Sequence, residues 1–168
     1  MSALPEPWLR GTWTDVPAVV RGVLHALELA GEDIARWTEG LTDADVVERS
    51  LGLPSVSFQM KHIARSLDRL LTYAEGGQLS ITQLAALKSE ETGDETLTEL
   101  LDEVRLALAQ SAKRVRAFAE ADLEAARSVG RKMLPTSVGG LLVHVADHTQ
   151  RHVGQLVTTA KVLKALRR

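Results

Sequence analysis

The chain contains no cysteine. That removes disulfides, thiolate-ligated zinc, iron–sulfur clusters and a thiol nucleophile from consideration. It fits a reducing compartment, and a cytoplasmic location is expected. Aromatic residues make up only 4% of the 168 residues, and no stretch holds a period of two, so strand signals are weak. No apolar run approaches the roughly 20 residues that span a bilayer. The opening MSALPEPWLRGTW lacks a cationic start followed by an apolar run, so it does not read as a secretory signal. An excess of charge is missing too. The formal net charge is −2, which gives no pull towards nucleic acid or an anionic membrane, and neither is expected as a partner. The small basic group Lys161, Lys164, Arg167 and Arg168 reads as a complement to a helix dipole. There is no GxSxG, GxGxxG or P-loop pattern.

What is present is a helical composition. The chain is 45% hydrophobic and 25% charged, an ordinary globular balance, and its length predicts one domain over residues 1–168. Apolar residues recur at helical spacing in four long segments. The first runs from Val16 to Trp37, with Asp15 as N-cap and Pro17 in its first turn. The second covers Ser55 to Ala74 after Pro54, the third Thr96 to Ala121, and the fourth Ser137 to Leu166, capped by Thr136 or Ser137. Leu41–Val46 reads as a turn or one helical turn. The roughly twenty residues between the second and third helices are long for a structureless loop, which predicts a short helix at Ile81–Ser89 capped by Ser80. The expected fold is all-α: a four-helix bundle with that long connection, whose connectivity need not be simple up-down-up-down.

The chemistry concentrates in HVADHTQRHVGQ, residues 144–155, which holds three of the five histidines. His144, His148 and His152 follow one another at four-residue intervals, about one helical turn, so their imidazoles share one side of a helix. Neutral imidazoles suit a borderline divalent cation such as zinc or nickel, with iron and manganese also accepting them. His148 and His152 stand where the apolar stripe asks for Leu or Val, while His144 drifts to its edge. The pair therefore reads either as two metal ligands or as two hydrogen-bonded core histidines without metal. His62 on the second helix is the natural third ligand of such a site. Its phase, beside Phe58, Ser66 and Tyr73, reads instead as a half-buried surface position. His25 is assigned no role. His148–His152 has zincin spacing without the glutamate that follows the first histidine, and no two helices carry the Glu-x-x-His pairs of di-iron bundles. Gly139-Gly140 reads as an allowance for tight helix packing or a close backbone approach, the former favoured. Trp8, Trp13 and Trp37 read either as lining a pocket or as buried in the bundle or at its end, the latter being the simpler account.

Two segments, GLPSVSFQMKHIARSLDRLLTYAEG (52–76) and TSVGGLLVHVADHTQRHVGQLV (136–157), resemble the DinB/YfiT-like family of metal-dependent helical-bundle proteins. The H-x-x-x-H-x-G-Q ending is the more specific signal. The resemblance implies a four-helix bundle and one divalent metal ion held by His62, His148 and His152. It further implies a thiol-dependent enzyme that uses a low-molecular-weight thiol such as bacillithiol, mycothiol or glutathione. The expected function is a metal-dependent S-transferase acting on an electrophilic small molecule. His144, Asp147, Arg151 and Gln155 are candidates for roles around the metal. The alternatives are a metal-dependent hydrolase, a non-catalytic metal- or ligand-binding bundle, and a purely structural bundle. A homodimer is compatible with each.

Overall fold

The computed structural model describes residues 4–167 and is mostly helical. Six α-helices follow in order: α1 (Ala18–Thr38), α2 (Asp43–Val47), α3 (Val56–Ala74), α4 (Ile81–Lys88), α5 (Leu97–Arg116) and α6 (Val138–Leu166), with a two-stranded hairpin β1 (Ala126–Val129) and β2 (Leu134–Ser137) before α6. Local chemistry sets most of the starts. Thr42, Ser80 and Thr96 each close a capping box with the residue three positions on, which satisfies orphan N–H groups at the helix start. Ser55 and Ser137 cap α3 and α6 through their hydroxyls.

The four long helices pack in a ring: α1 against α6, α6 against α3, α3 against α5, and α5 against α1. Consecutive long helices α1 and α3 therefore stand across the ring from each other, as do α5 and α6, and the chain crosses it through the linkers. Ile34, Met60, Leu67, Leu100, Leu142 and Leu156 are among the residues that fill its centre.

Several sequence expectations need correcting. The first helix begins after Pro17, which is itself the N-cap. Asp15 instead pairs with Arg116 at the far end of α5. The third helix stops at Arg116 rather than Ala121. Beyond it Phe118, Ala119 and Ala121 donate to carbonyls three residues back, a tighter winding that turns the chain while keeping Phe118 buried. The β-hairpin was not foreseen, because four-residue strands are too short to show a period of two and β2 contains Pro135. Ala126 pairs with Ser137 and Val129 with Leu134 in an antiparallel register. Gly139 serves this junction. A Cβ there would lie 3.1 Å from the Leu123 carbonyl oxygen, and the Gly139 N–H donates to that oxygen at 2.8 Å. The glycine pair thus admits the incoming chain rather than a neighbouring helix.

The basic group near the C-terminus binds the end of α1. Lys164 Nζ donates to the Trp37 carbonyl at 2.9 Å and Arg167 to that of Gly40 at 3.2 Å, while Lys161 sits 4.2 Å above the Trp37 ring. Arg168 lies outside the described residues. No helix among the described residues is long and apolar enough to cross a membrane.

Leu67 is fully buried and Leu106 is exposed on α5. Leu67→Ala is expected to cost about 2–5 kcal/mol in unfolding free energy, whereas Leu106→Ala stays within about 0.5 kcal/mol. Urea titration of both variants measures the difference.

Candidate metal centre

The site lies where α3 meets α6. His62 comes from α3, and His148 and His152 come from successive turns of α6. Each offers one ring nitrogen, and the three nitrogens lie within 4.8 Å of one another. All three side chains are half-buried. The apolar stripe of α6 at this level runs through Val145, Thr149, Val153 and Leu156. The histidines therefore border the stripe rather than fill it, which corrects the placement of His148 and His152 at stripe positions. The His62 flank of α3 is not surface either: Ser66 and Tyr73 are buried. The long connection past α4 packs over α3 and covers this side.

The hydrogen-bond partners favour one tautomer of each imidazole. His62 Nδ1 is 2.7 Å from a carboxylate oxygen of Glu90, His152 Nδ1 is 2.8 Å from the amide oxygen of Gln59, and His148 Nδ1 is 3.4 Å from the Ser66 hydroxyl. An ionised carboxylate and an amide oxygen can only accept, and the Ser66 hydroxyl already donates to the Ile63 carbonyl at 3.2 Å. In the neutral rings all three Nδ1–H groups therefore donate outward, and every Nε2 keeps its lone pair. His62 Nε2 and His148 Nε2 face each other at 3.3 Å. Two lone pairs at that distance repel unless a cation lies between them. The spacing matches the edge of a tetrahedron of nitrogens about 2.0–2.1 Å from a zinc-sized ion. The donor set, its tautomers and its spacing thus fit a divalent metal ion.

Electrostatics favour the same state. Burial, reinforced by His152 and His62, pushes the His148 imidazole down to about 4. Burial, with His62 and Arg151 adding to it, does the same for His152. Both rings are neutral at pH 7, as metal ligation requires. At Glu90, burial opposes ionisation, but hydrogen bonds from His62 and Arg69 outweigh it and hold the carboxyl below its ordinary range.

The remaining sequence candidates surround this cluster. His144 is 45% exposed, with Nδ1 3.7 Å from Asp147, and its ring stands edge-on to His148 with centroids 5.3 Å apart. Asp147 is engaged by Arg151 at 2.5 Å. Gln155 accepts from the Gln59 amide at 3.1 Å. His25 is buried 3.1 Å from the Thr12 hydroxyl, away from the cluster. Sequence reasoning missed Gln59, Ser66, Arg69 and Glu90. Gln59 carried a signal, since a glutamine between Val56 and Ile63 interrupts an apolar stripe. Glu90 carried none, because it lies 28 residues from His62 in the connection after α4.

A cavity of about 600 Å³ lies elsewhere, between α1 and α5, with Trp13, Leu27, Gly31 and Leu108 among its walls. Trp13 packs against the core and lines this groove as well, and Trp8 is exposed. That groove is mostly apolar and holds none of the five histidines, so volume and coordination chemistry do not coincide.

Over residues 26–156 the sequence matches the DinB superfamily. The chain belongs to that superfamily. No curated protein matches it.

Because the His148 and His152 values lie below the unfolded-chain value of 6.5, the unfolded chain takes up these protons first. The metal-free fold is therefore at full stability with respect to these groups above about pH 6.5 and loses stability as pH falls towards 4. Imidazole NMR titration of metal-free protein is expected to show both rings still neutral at pH 5.5. Midpoints near 6.5 would contradict the burial and charge crowding described here.

Proposed function

We propose that this protein is a divalent-metal-dependent enzyme in which His62, His148 and His152 hold the metal. In this reading the ring of four long helices is a four-helix bundle forming one domain. The reaction is an S-transfer from a low-molecular-weight thiol of the bacillithiol type to an electrophilic small molecule. The observation that carries the reading is the convergence of three imidazole lone pairs with no carboxylate among them. Three neutral ligands leave the charge of a divalent cation uncompensated and coordination positions open, the pattern of a catalytic rather than a closed structural site. When bound, the metal supplies a Lewis-acid centre that lowers the pKa of a thiol or water placed beside it.

The chain's own residues supply the rest. A cysteine-free protein needs its sulfur nucleophile from outside. In the transfer, the thiol sulfur bonds to the electrophilic carbon, the leaving group departs with its electron pair, and the thiol proton passes to a base. His144, exposed and with its ring edge-on to His148, is in this reading the imidazole that takes that proton and passes it to water. Arg151 is tethered to Asp147 beside the same mouth. Phe58 stacks on His62 with centroids 5.5 Å apart, giving the site an apolar wall. Hydrolysis is the second reading, because the same neutral ligand set also suits activation of water. A cytoplasmic location and a homodimer accompany the proposal.

Elemental analysis of untagged protein purified without chelators tests the centre directly. About one divalent metal per chain is expected, lost in His62→Ala and His148→Ala. Added metal at 100 times its dissociation constant should stabilise the native chain by about 2.7 kcal/mol. Protein that binds no zinc, nickel, iron or manganese overturns the proposal. Turnover of a thiol with an aryl or alkyl halide, against turnover of an ester or amide, then separates transferase from hydrolase.

A further inference from the structure

His62 is one end of a longer chain of buried polar groups. Its Nδ1 meets Glu90 Oε2 at 2.7 Å, and the other oxygen of the same carboxylate, Oε1, accepts from Arg69 at 2.6 Å. Glu90 is 3% exposed and Arg69 9%. A buried ion pair is weak evidence of stabilisation, since apolar residues of the same volume commonly do as well. Its presence in the wall of this site therefore calls for another reason. The geometry supplies one. With Arg69 on one oxygen, the carboxylate stays ionised and its second oxygen can only accept. A neutral His62 then carries its proton on Nδ1, and its Nε2 lone pair faces His148 and His152.

The segment that carries Glu90 is anchored independently. Lys61, 2% exposed, donates to the Thr92 carbonyl at 2.5 Å and to Glu95 at 3.0 Å. Arg65 donates to the Ser89 hydroxyl at 3.0 Å and to Glu103 at 2.8 Å. Lys61, Arg65 and Arg69 recur every four residues, so one face of α3 grips the connection from Ser89 to Glu95 along its length.

From this geometry we infer that Arg69 and Glu90 are positioning residues for the metal centre, acting as a relay that fixes the tautomer and ring orientation of His62. The inference rests on the reading of His62 as a metal ligand, but its first consequence is visible without metal. A partner beyond the ligand is commonly worth about 10–100-fold in metal affinity.

The test uses the full-length protein. In the metal-free wild type, long-range proton–nitrogen NMR spectra should show His62 protonated on Nδ1 and bare on Nε2. Glu90→Gln can donate to Nδ1 as well as accept from it, so the Nε2-protonated form should become populated. Zinc affinity, measured against a competing chelator, should fall about 10–100-fold. Arg69→Met should lower it similarly, and the double variant should be no weaker than the weaker single one, because both act through one chain of contacts. Arg69→Lys, which keeps the cation, should stay within a few-fold of wild type and carries the comparison with Arg69→Met if Glu90→Gln does not fold. A folded Glu90→Gln that keeps His62 wholly Nδ1-protonated overturns the relay, as do losses that add in the double variant. Wild-type protein that binds no zinc overturns the metal reading instead, and the tautomer measurement alone then decides the relay.

Discussion

Every imidazole at the α3–α6 junction has its Nδ1 proton committed elsewhere, and the rest of the site follows from that constraint. A neutral imidazole has one donor and one acceptor. Giving the donor to Glu90, Gln59 or Ser66 turns the acceptor inward, and three inward acceptors repel. Such a cluster is unfavourable by itself and becomes favourable around a cation. The depressed basicity of His148 and His152 expresses the same fact: a proton is a poor substitute for the missing charge, because burial and the neighbouring rings resist it.

The fold meets this constraint by placing the histidines beside the packed stripe of α6 rather than within it. Val145, Thr149, Val153 and Leu156 close the contacts with the core. The polar cluster then sits in a shallow layer between the core and the connection that follows α4. That connection provides a lid of backbone and carboxylate over α3, held by three cationic side chains one helical turn apart. A shorter link between α3 and α5 would leave the outer edge of His62 in water, where its tautomer would not be fixed.

The parts legible in the sequence are those set by local pattern. The apolar periodicity of the long segments, the Ser80 cap and the four-residue spacing of His144, His148 and His152 all concern residues close together in the chain. The C-terminal end of α5 and the start of α1 differ from expectation because Phe118 continues the helical phase while the backbone tightens into turns, and because Asp15 is a good capping residue drawn into an ion pair with Arg116. The hairpin escaped because its pairing is stated by register across a turn, not by composition. At the site, His62 looked peripheral by phase alone. Its burial depends on a segment 28 residues further on, and no pattern within α3 reveals what will cover it. Facing helices made His62 a candidate and the family resemblance strengthened it, both without Glu90 or Arg69.

The two polar routes into the cluster differ in kind, and the difference bears on how the site is built. The route to His62 is ionic, Arg69 to Glu90, and comes from α3 and the connection that covers it. The route to His152 is neutral, Gln155 to Gln59, and runs between α6 and α3. There the Gln59 amide donates to Gln155 and accepts from His152, so its oxygen is turned towards the ring by its own partner. A charged partner on both sides would place two carboxylates near one cation and leave little reason for an anionic ligand to join it. With Glu90 already matched by Arg69, and Asp147 by Arg151, the ion pairs around the cluster cancel. The attraction of a bound cation is then directed at whatever enters from solvent. That balance suits a site whose nucleophile arrives from outside a chain that has no thiol of its own.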